Sequence, residues 1–359
     1  MTKENQPSLA QQRKDDHVNL ALEQQSKLQT SAFDDIRFMH HSFSDVKFEQ
    51  IDTSTQWANT THRFPFYING MTGGSTYTKQ FNDSLSKLAH ETGLAMASGS
   101  VSVALKEPEV RDSFTIIRKN NPNGFVMANL GAHHDLENAK RAVDLLDANA
   151  LQIHLNTPQE VVMPEGDRDF STWKENIQQI VEGLDVPVIV KEVGFGMSKE
   201  TMEELISLGV QNIDVSGRGG TNFVNIENDR RDTIDFSLLG EWGQTTPESL
   251  LESLSLQKEV NILASGGVRS FYDIVKALAL GAKATGLSGK LLQTVHLEGV
   301  DAATQIVLDW EKAIKHMLLL LNCHNIQELQ ETQLLLRGPL REYAELREID
   351  YKKIPLPLQ

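Results

Sequence analysis

The sequence predicts an α/β fold, a single (β/α)8 barrel carrying an N-terminal arm. Eight short apolar runs recur at roughly the spacing of one βα unit. Each ends in small or polar residues and is followed by a longer helix-like stretch. No shift of composition marks a second domain along the 359 residues.

In chain order, the first dozen residues are polar and Gln-rich and read as a mobile end. The charged patch Arg13-Lys14-Asp15-Asp16-His17 then leads into a helical run, VNLALEQQ. Arm and leading helix occupy 1–63 and the barrel 64–359. The apolar runs are FPFYINGM, GLAMASGS, GFVMANLG, ALQIHLN, PVIVKEVG, NIDVSGRG, NILASGGV and ATGLSG. Such near-continuous apolar strands suit a parallel sheet buried on both faces. LGVQNIDVSG and LGAKATGLSG echo each other, a helix-ending Leu-Gly followed by a strand ending in Ser-Gly. The polar stretch between residues 219 and 260 reads as an insertion over the active site. From 290 to about 349 the pattern is helical. An open doubly wound sheet is the weaker reading, because no G-x-G-x-x-G follows a strand.

Composition excludes several functions. Lys and Arg number 34 against 49 Asp and Glu, a net charge of −15, which opposes nucleic-acid binding. The longest apolar runs, Met317–Leu321 and Val186–Val190, are too short to span a bilayer. The start MTKENQPSLAQQ lacks the apolar core of a secretory signal, so the chain reads as cytosolic. The lone Cys323 excludes an intramolecular disulfide and reads as packing, and no Cys/His cluster has zinc spacing.

Chemistry in such a barrel belongs to the C-terminal strand ends. These carry Asn69 to Gly74, Ser98-Gly99-Ser100, Asn129, His154 with Asn156, and Lys191-Glu192. Ser216 to Thr221, Ser265 to Arg269 and Ser288-Gly289 complete the ring. Gly266-Gly267 and Ser288-Gly289 each read as opening a helix, and two such turns after the last two strands read as a phosphate site. Lys191 ends a strongly apolar strand and needs a negative partner. Glu192 faces the other side of that strand, so an anionic ligand fits better, and a Schiff-base role stays open. His154 and Asn156 share one strand face. Gln159-Glu160 follow, and a loop glutamate at a barrel mouth suits Mg²⁺. Glu165, Asp167 and Arg168 read as a solvated surface turn.

With these residues laid out, the chain closely resembles the FMN-dependent, type 2 isopentenyl-diphosphate isomerases. The motifs are RK–DH (13–17), NGMTGG, ASGS, NLGA, QIHLN–PQE–PEGDRDF, VIVKEVGFGMS, IDVSGRGGTNF–IEN and ASGGVR. The resemblance implies that Met71, Thr72, Gly73, Ser100, Asn129, Lys191, Ser216 and Thr221 surround the FMN ring. Gly266, Gly267, Val268, Arg269, Ser288 and Gly289 would hold its phosphate. Arg13, Lys14 and His17 would grip the substrate diphosphate, His154, Asn156 and Gln159 would line the substrate, and Glu160 would bind Mg²⁺. Lys191, Gln159 and His154 are the implied catalytic set, with NADPH needed to reduce the flavin and a homo-oligomer, tetramer or octamer, expected. One departure is that Gly99-Ser100 runs into Val101-Ser102-Val103 where many relatives have Gln-Arg; Ser102 or Lys106 is expected to stand in. FMN-dependent 2-hydroxy-acid oxidases are the competing class. They place a histidine within Ser-Asn-His-Gly, where this chain reads Ser216-Gly217-Arg218-Gly219, and arginine cannot take a proton at neutral pH. A non-catalytic flavin-binding barrel is the third reading.

Overall fold

A computed structural model describes residues 8–27 and 31–351. All eight apolar runs are strands: β1 (Phe66–Ile68), β2 (Met96–Ala97), β3 (Val126–Gly131), β4 (Ala150–His154), β5 (Val188–Lys191), β6 (Asn212–Asp214), β7 (Asn261–Ser265) and β8 (Ala284–Leu287). Each pairs in parallel with its chain neighbours, and β8 pairs with β1 to close the barrel. Every residue of β3 and β5 is buried, as strands covered on both faces require. The register sets His154 beside Lys191 and Lys191 beside Asp214, so one layer of the barrel carries all three.

Two cores result. A large one fills the space between strands and outer helices, while a smaller one occupies the barrel itself, from Tyr67, Met127, Ile189 and Leu263 with alanines 95, 97, 150 and 284. Below it a hairpin, Thr55–Trp57 with Thr60–His62, seals the N-terminal end. Its two-residue turn, Ala58-Asn59, holds φ of 46° and 57°, the positive pair that matches strand twist in tight hairpins. The Ala58 N–H donates to Asn212 Oδ1 at 3.1 Å, which ties this unusual alanine down.

Two expectations change. Residues 1–7 of the polar start lie outside the described residues, but residues 9–12 already belong to a helix, Leu9–Lys27. Near the other end Leu334–Leu336 is a strand rather than helix, antiparallel to Ile36–Phe38. Its burial alternates, with Leu335 exposed between buried Leu334 and Leu336, the period of a half-covered strand. The arm is therefore stitched to the C-terminal segment. Lys276 Nζ, donating to the Phe33 carbonyl at 2.7 Å, adds a second tie. Cys323 is buried and free, its thiol pushed up to about 12 by burial and nearby carboxylates.

Candidate active site

A cavity of about 410 Å³ opens at the C-terminal strand ends, where barrel enzymes keep their chemistry. Its floor is Lys191, deeply buried, whose Nζ donates to the Glu192 carbonyl at 2.5 Å. Burial lowers the ammonium's pKa, and the charges of Asp214 and Glu192 oppose that shift. Glu192 is not its ion-pair partner. One carboxylate oxygen instead accepts from the N–H groups of Val193, Gly194 and Phe195. Burial nevertheless pushes that carboxyl up to about 8, against those bonds and the Lys191 charge. Asp214 is fully buried and saturated by Tyr67 Oη (2.8 Å), Asn69 Nδ2 (3.1 Å), Ser265 Oγ (2.9 Å) and the Ser216 N–H (3.1 Å).

One wall is backbone. A Cβ on Gly266 would meet the Gly217 carbonyl at 1.9 Å, and one on Gly220 the Gly267 nitrogen at 2.9 Å. Gly266 and Gly267 sit at φ of 89° and 71°, a conformation few other residues adopt. Among the described residues the N–H groups of Gly266, Gly267 and Val268 meet no backbone or side-chain acceptor. The helix Gly289–Leu297 opens at Ser288 on the same cavity, as expected. Gly266-Gly267, by contrast, does not open its helix directly: Ser270 caps Phe271–Ala279, so the glycines form a loop of their own.

The roof is the arm. Leu9–Lys27 carries Arg13, Lys14 and His17 over the cavity. Burial, helped by the Arg13 charge and opposed by Glu227, brings Lys14 down to about 8. His17 Nε2 lies 2.9 Å from Glu227 Oε1, which also accepts from Gln159 Nε2 at 2.8 Å. Burial works against the Glu227 charge, yet His17, Gln159 and Arg230 together hold its pKa near 2. This carboxylate lies on Phe223–Asp229, inside the stretch expected to cover the site, and Gln24 pairs with the Asn222 backbone on the same stretch.

The structure brings nearly all the expected residues to one cavity: Arg13, Lys14, His17, Met71, Ser100, Asn129, His154, Asn156, Gln159, Glu160, Lys191, Ser216, Thr221, Gly266 to Arg269, Ser288 and Gly289. Thr72 and Gly73 sit behind it. The Thr72 hydroxyl is buried with no partner among the described residues, and a Cβ on Gly73 would strike the Phe114 ring at 2.2 Å. Ser102 and Lys106 both reach the cavity, Ser102 Oγ lying 2.9 Å from His134 Nε2. Glu165, Asp167 and Arg168 are exposed, as a solvated surface turn requires, while the turn also bonds to the segment beside the site. Arg168 donates to the carbonyls of Glu160 and Met163, the Asp167 N–H to Glu160 Oε2 at 2.8 Å, and Glu165 faces Arg13 at 3.6 Å. Gln152, Asp214 and Glu227 were not read as site residues. Inward alternation on β4 and β6 marks the first two, while Glu227 is marked only as the middle of the IEN motif.

These surroundings fit a flavin mononucleotide. Free amides and a helix start offer a phosphate seat, the glycines leave room for a planar group, and a buried ammonium waits at the floor. The FMN-dependent dehydrogenase family matches residues 103–336. Among solved structures, the flavin-binding domain of baker's yeast flavocytochrome b2 covers 86% of this chain and 77% of its own, at TM-score 0.62 and 18% identity. Mandelate oxidase with 3,3-difluoro-2-hydroxy-3-phenylpropionic acid covers 89% and 91%, at TM-score 0.60 and 16% identity. At those identities the likeness is one of fold. Curated relatives are far closer in sequence. The isopentenyl-diphosphate delta-isomerases of Latilactobacillus sakei and Staphylococcus saprophyticus are each 50% identical over 95% of this chain and 98% of theirs. That of Staphylococcus aureus is 47% identical over 95% and 97%. Identity of that extent, on a closed barrel with this mouth, makes the chain a member of the isopentenyl-diphosphate delta-isomerase family, an isomerase built on the FMN-dependent dehydrogenase fold.

Proposed function

We propose that the protein converts isopentenyl diphosphate to dimethylallyl diphosphate, with reduced FMN and Mg²⁺ at the barrel mouth and NADPH needed only to reduce the flavin. The observation that carries this reading is Lys191, a buried ammonium that among the described residues donates to a backbone carbonyl and no side chain, facing a cavity rimmed by free amides. When bound and reduced, FMN supplies an electron-rich ring and an acid–base edge to a reaction that adds a proton at one carbon and removes one two carbons away.

The chain's own residues do the rest. Lys191 favours a negative charge on the ring. Gly266, Gly267, Val268 and the start of Gly289–Leu297 hold the cofactor phosphate. Arg13 and Lys14, lowered onto the mouth by the arm, grip the diphosphate, so binding far from the reacting carbons orients them. Gln159 gives its N–H to Glu227 and keeps its carbonyl oxygen toward Asn156, which sets it to hold a proton's path. Glu160 is the Mg²⁺ ligand. Among the described residues no three His, Cys, Asp or Glu side chains cluster for a metal, so the ion would complete its shell from diphosphate oxygens and water, as Mg²⁺ commonly does.

A 2-hydroxy-acid oxidase is disfavoured by Arg218. It pairs with Glu241 and does not line the cavity, so no imidazole base occupies that strand end. Purified protein should be yellow and, given NADPH without air, should turn isopentenyl diphosphate into dimethylallyl diphosphate. A colourless protein that stays inert with added flavin and reductant overturns the reading. Peroxide from lactate in air would favour the oxidase, and bound flavin with no turnover a non-catalytic barrel. Glu160→Gln should move the Mg²⁺ titration to higher concentration; an unmoved titration removes Glu160 as ligand. Light scattering on the holo-protein tests the tetramer or octamer. Among the described residues no helix is long and apolar enough to cross a membrane.

A further inference from the structure

A row of buried amide side chains joins the floor of the cavity to His154. Gln152 Nε2 meets Asn69 Oδ1 at 3.1 Å, Asn129 Nδ2 meets Gln152 Oε1 at 3.1 Å, and His154 Nδ1 meets Asn129 Oδ1 at 2.9 Å. An amide carries its donor and its acceptor on opposite prongs, so fixing one prong fixes the next neighbour's role. The Gly70 N–H approaches Asn69 Oδ1 at 3.0 Å, and a backbone N–H can only donate. That prong of Asn69 is therefore oxygen, and Gln152 must face it with nitrogen. Gln152 then offers oxygen to Asn129, and Asn129 offers oxygen to His154. The imidazole nitrogen facing it has to donate. At the other end Asn69 Nδ2 gives to Asp214 at 3.1 Å, which agrees in sense.

We infer that this file of amides locks His154 as the Nδ1-protonated tautomer, so that Nε2 presents a lone pair to the cavity, with Gln152 as the positioning residue at its centre. Nε2 lies over Gly131, where a Cβ would stand 3.2 Å from it, and it meets no protein donor among the described residues. A histidine held this way accepts a hydrogen bond from an N–H or O–H of ligand or water. It cannot donate one to a diphosphate oxygen. Burial, with the Lys191 charge next in weight, holds the imidazole well below its ordinary range and so keeps it neutral. Any part His154 takes in turnover rests on the isomerase reading; the tautomer does not.

Ring-15N histidine labelling of the FMN-loaded protein reads the tautomer directly, with His154 identified by the resonances lost in His154→Gln. The expected spectrum has a pyrrole-type Nδ1 and a pyridine-type Nε2. Gln152→Met removes both prongs at nearly constant volume. His154 should then shift toward the Nε2-protonated form, with kcat lowered roughly tenfold and KM changed by less than about twofold. An Nε2-protonated His154 in the unaltered protein overturns the inference, as does an unchanged tautomer in Gln152→Met. If that variant does not fold, the spectrum of the unaltered protein still decides the tautomer. Inactivity toward isopentenyl diphosphate with the expected spectrum would sink the isomerase reading and leave the tautomer standing.

Discussion

At the end where the strands begin, the barrel's inward positions hold Tyr67, Met127, Ala150, Ile189 and Leu263, closed off by Trp57. Two residues further along the same strands they hold Asn69, Asn129, Gln152, Lys191 and Ser265. Side chains alternate across a strand, so a step of two keeps the same face and moves one layer up. Apolar filling thus gives way to hydrogen-bonded polar groups within a single layer. Below, burial stabilises mainly through van der Waals contact; above, most buried polar groups are hydrogen-bonded, while Lys191 and Asn156 Oδ1 face the cavity. Foldability and chemistry are separated along the barrel axis rather than between domains.

If that separation holds, damage to the lower layer should cost stability and spare the site. Trp57 is 2% exposed, stacked on His62 at 3.9 Å and packed against Tyr67 and Phe125. Trp57→Ala should lower unfolding free energy by about 3–5 kcal/mol, measured by denaturant titration, with flavin content and turnover at low temperature unchanged. Loss of bound flavin in the folded variant would break the comparison. The converse is Lys191→Ala, which should reduce isomerisation by about 10²–10³-fold while the unfolding midpoint stays put or rises, because a buried charge has gone. Undiminished turnover would refute its role.

The contrast also explains what the sequence makes legible. The eight strands and their order are plain because runs such as PVIVKEVG and ALQIHLN are apolar throughout and end in polar residues. The mouth is plain because those polar endings fall where parallel strands converge. The plug is not: Ala58-Asn59 lacks the Asn-Gly or Asp-Gly signature of a two-residue hairpin, so residues 55–62 read as arm. Leu334–Leu336 escapes because three leucines carry no alternation, and only the partner strand Ile36–Phe38 exposes the middle one. Glu227 escapes for a different reason. Its partners His17 and Gln159 come from distant segments, and polarity alone does not tell a solvated carboxylate from one bonded inward.

A smaller effect sharpens the comparison through pH. Burial lowers His62 to about 4, against a hydrogen bond at Trp57, and its Nε2 has no partner. Above pH 6.5 it is neutral folded or unfolded and adds no pH dependence. Below that the unfolded chain takes up a proton that the native one resists, so stability falls as pH drops from 6.5 and levels off near 4. The loss from this group is at most about 3 kcal/mol. His62→Phe should flatten the stability profile over that window by a comparable amount; a profile of unchanged slope would mean the proton is taken elsewhere, His134 being shifted to about 4 as well.

The smallest effect belongs to the rim. Lys106 is exposed and reaches the cavity one helical turn after Ser102. An exposed ammonium on a flexible stem loses much of its attraction to water and salt, so its contact with an anion contributes about 0.2–1 kcal/mol. Lys106→Ala should accordingly raise KM for isopentenyl diphosphate only a few-fold, leave kcat alone, and lose even that difference in high salt. Ser102→Ala serves as its comparison, since it removes the hydroxyl next to His134 and no charge, and so should show no salt dependence. A large drop in kcat in Lys106→Ala would instead place this lysine beside the reacting carbons, and the division between a diphosphate rim and a reactive floor would have to be redrawn.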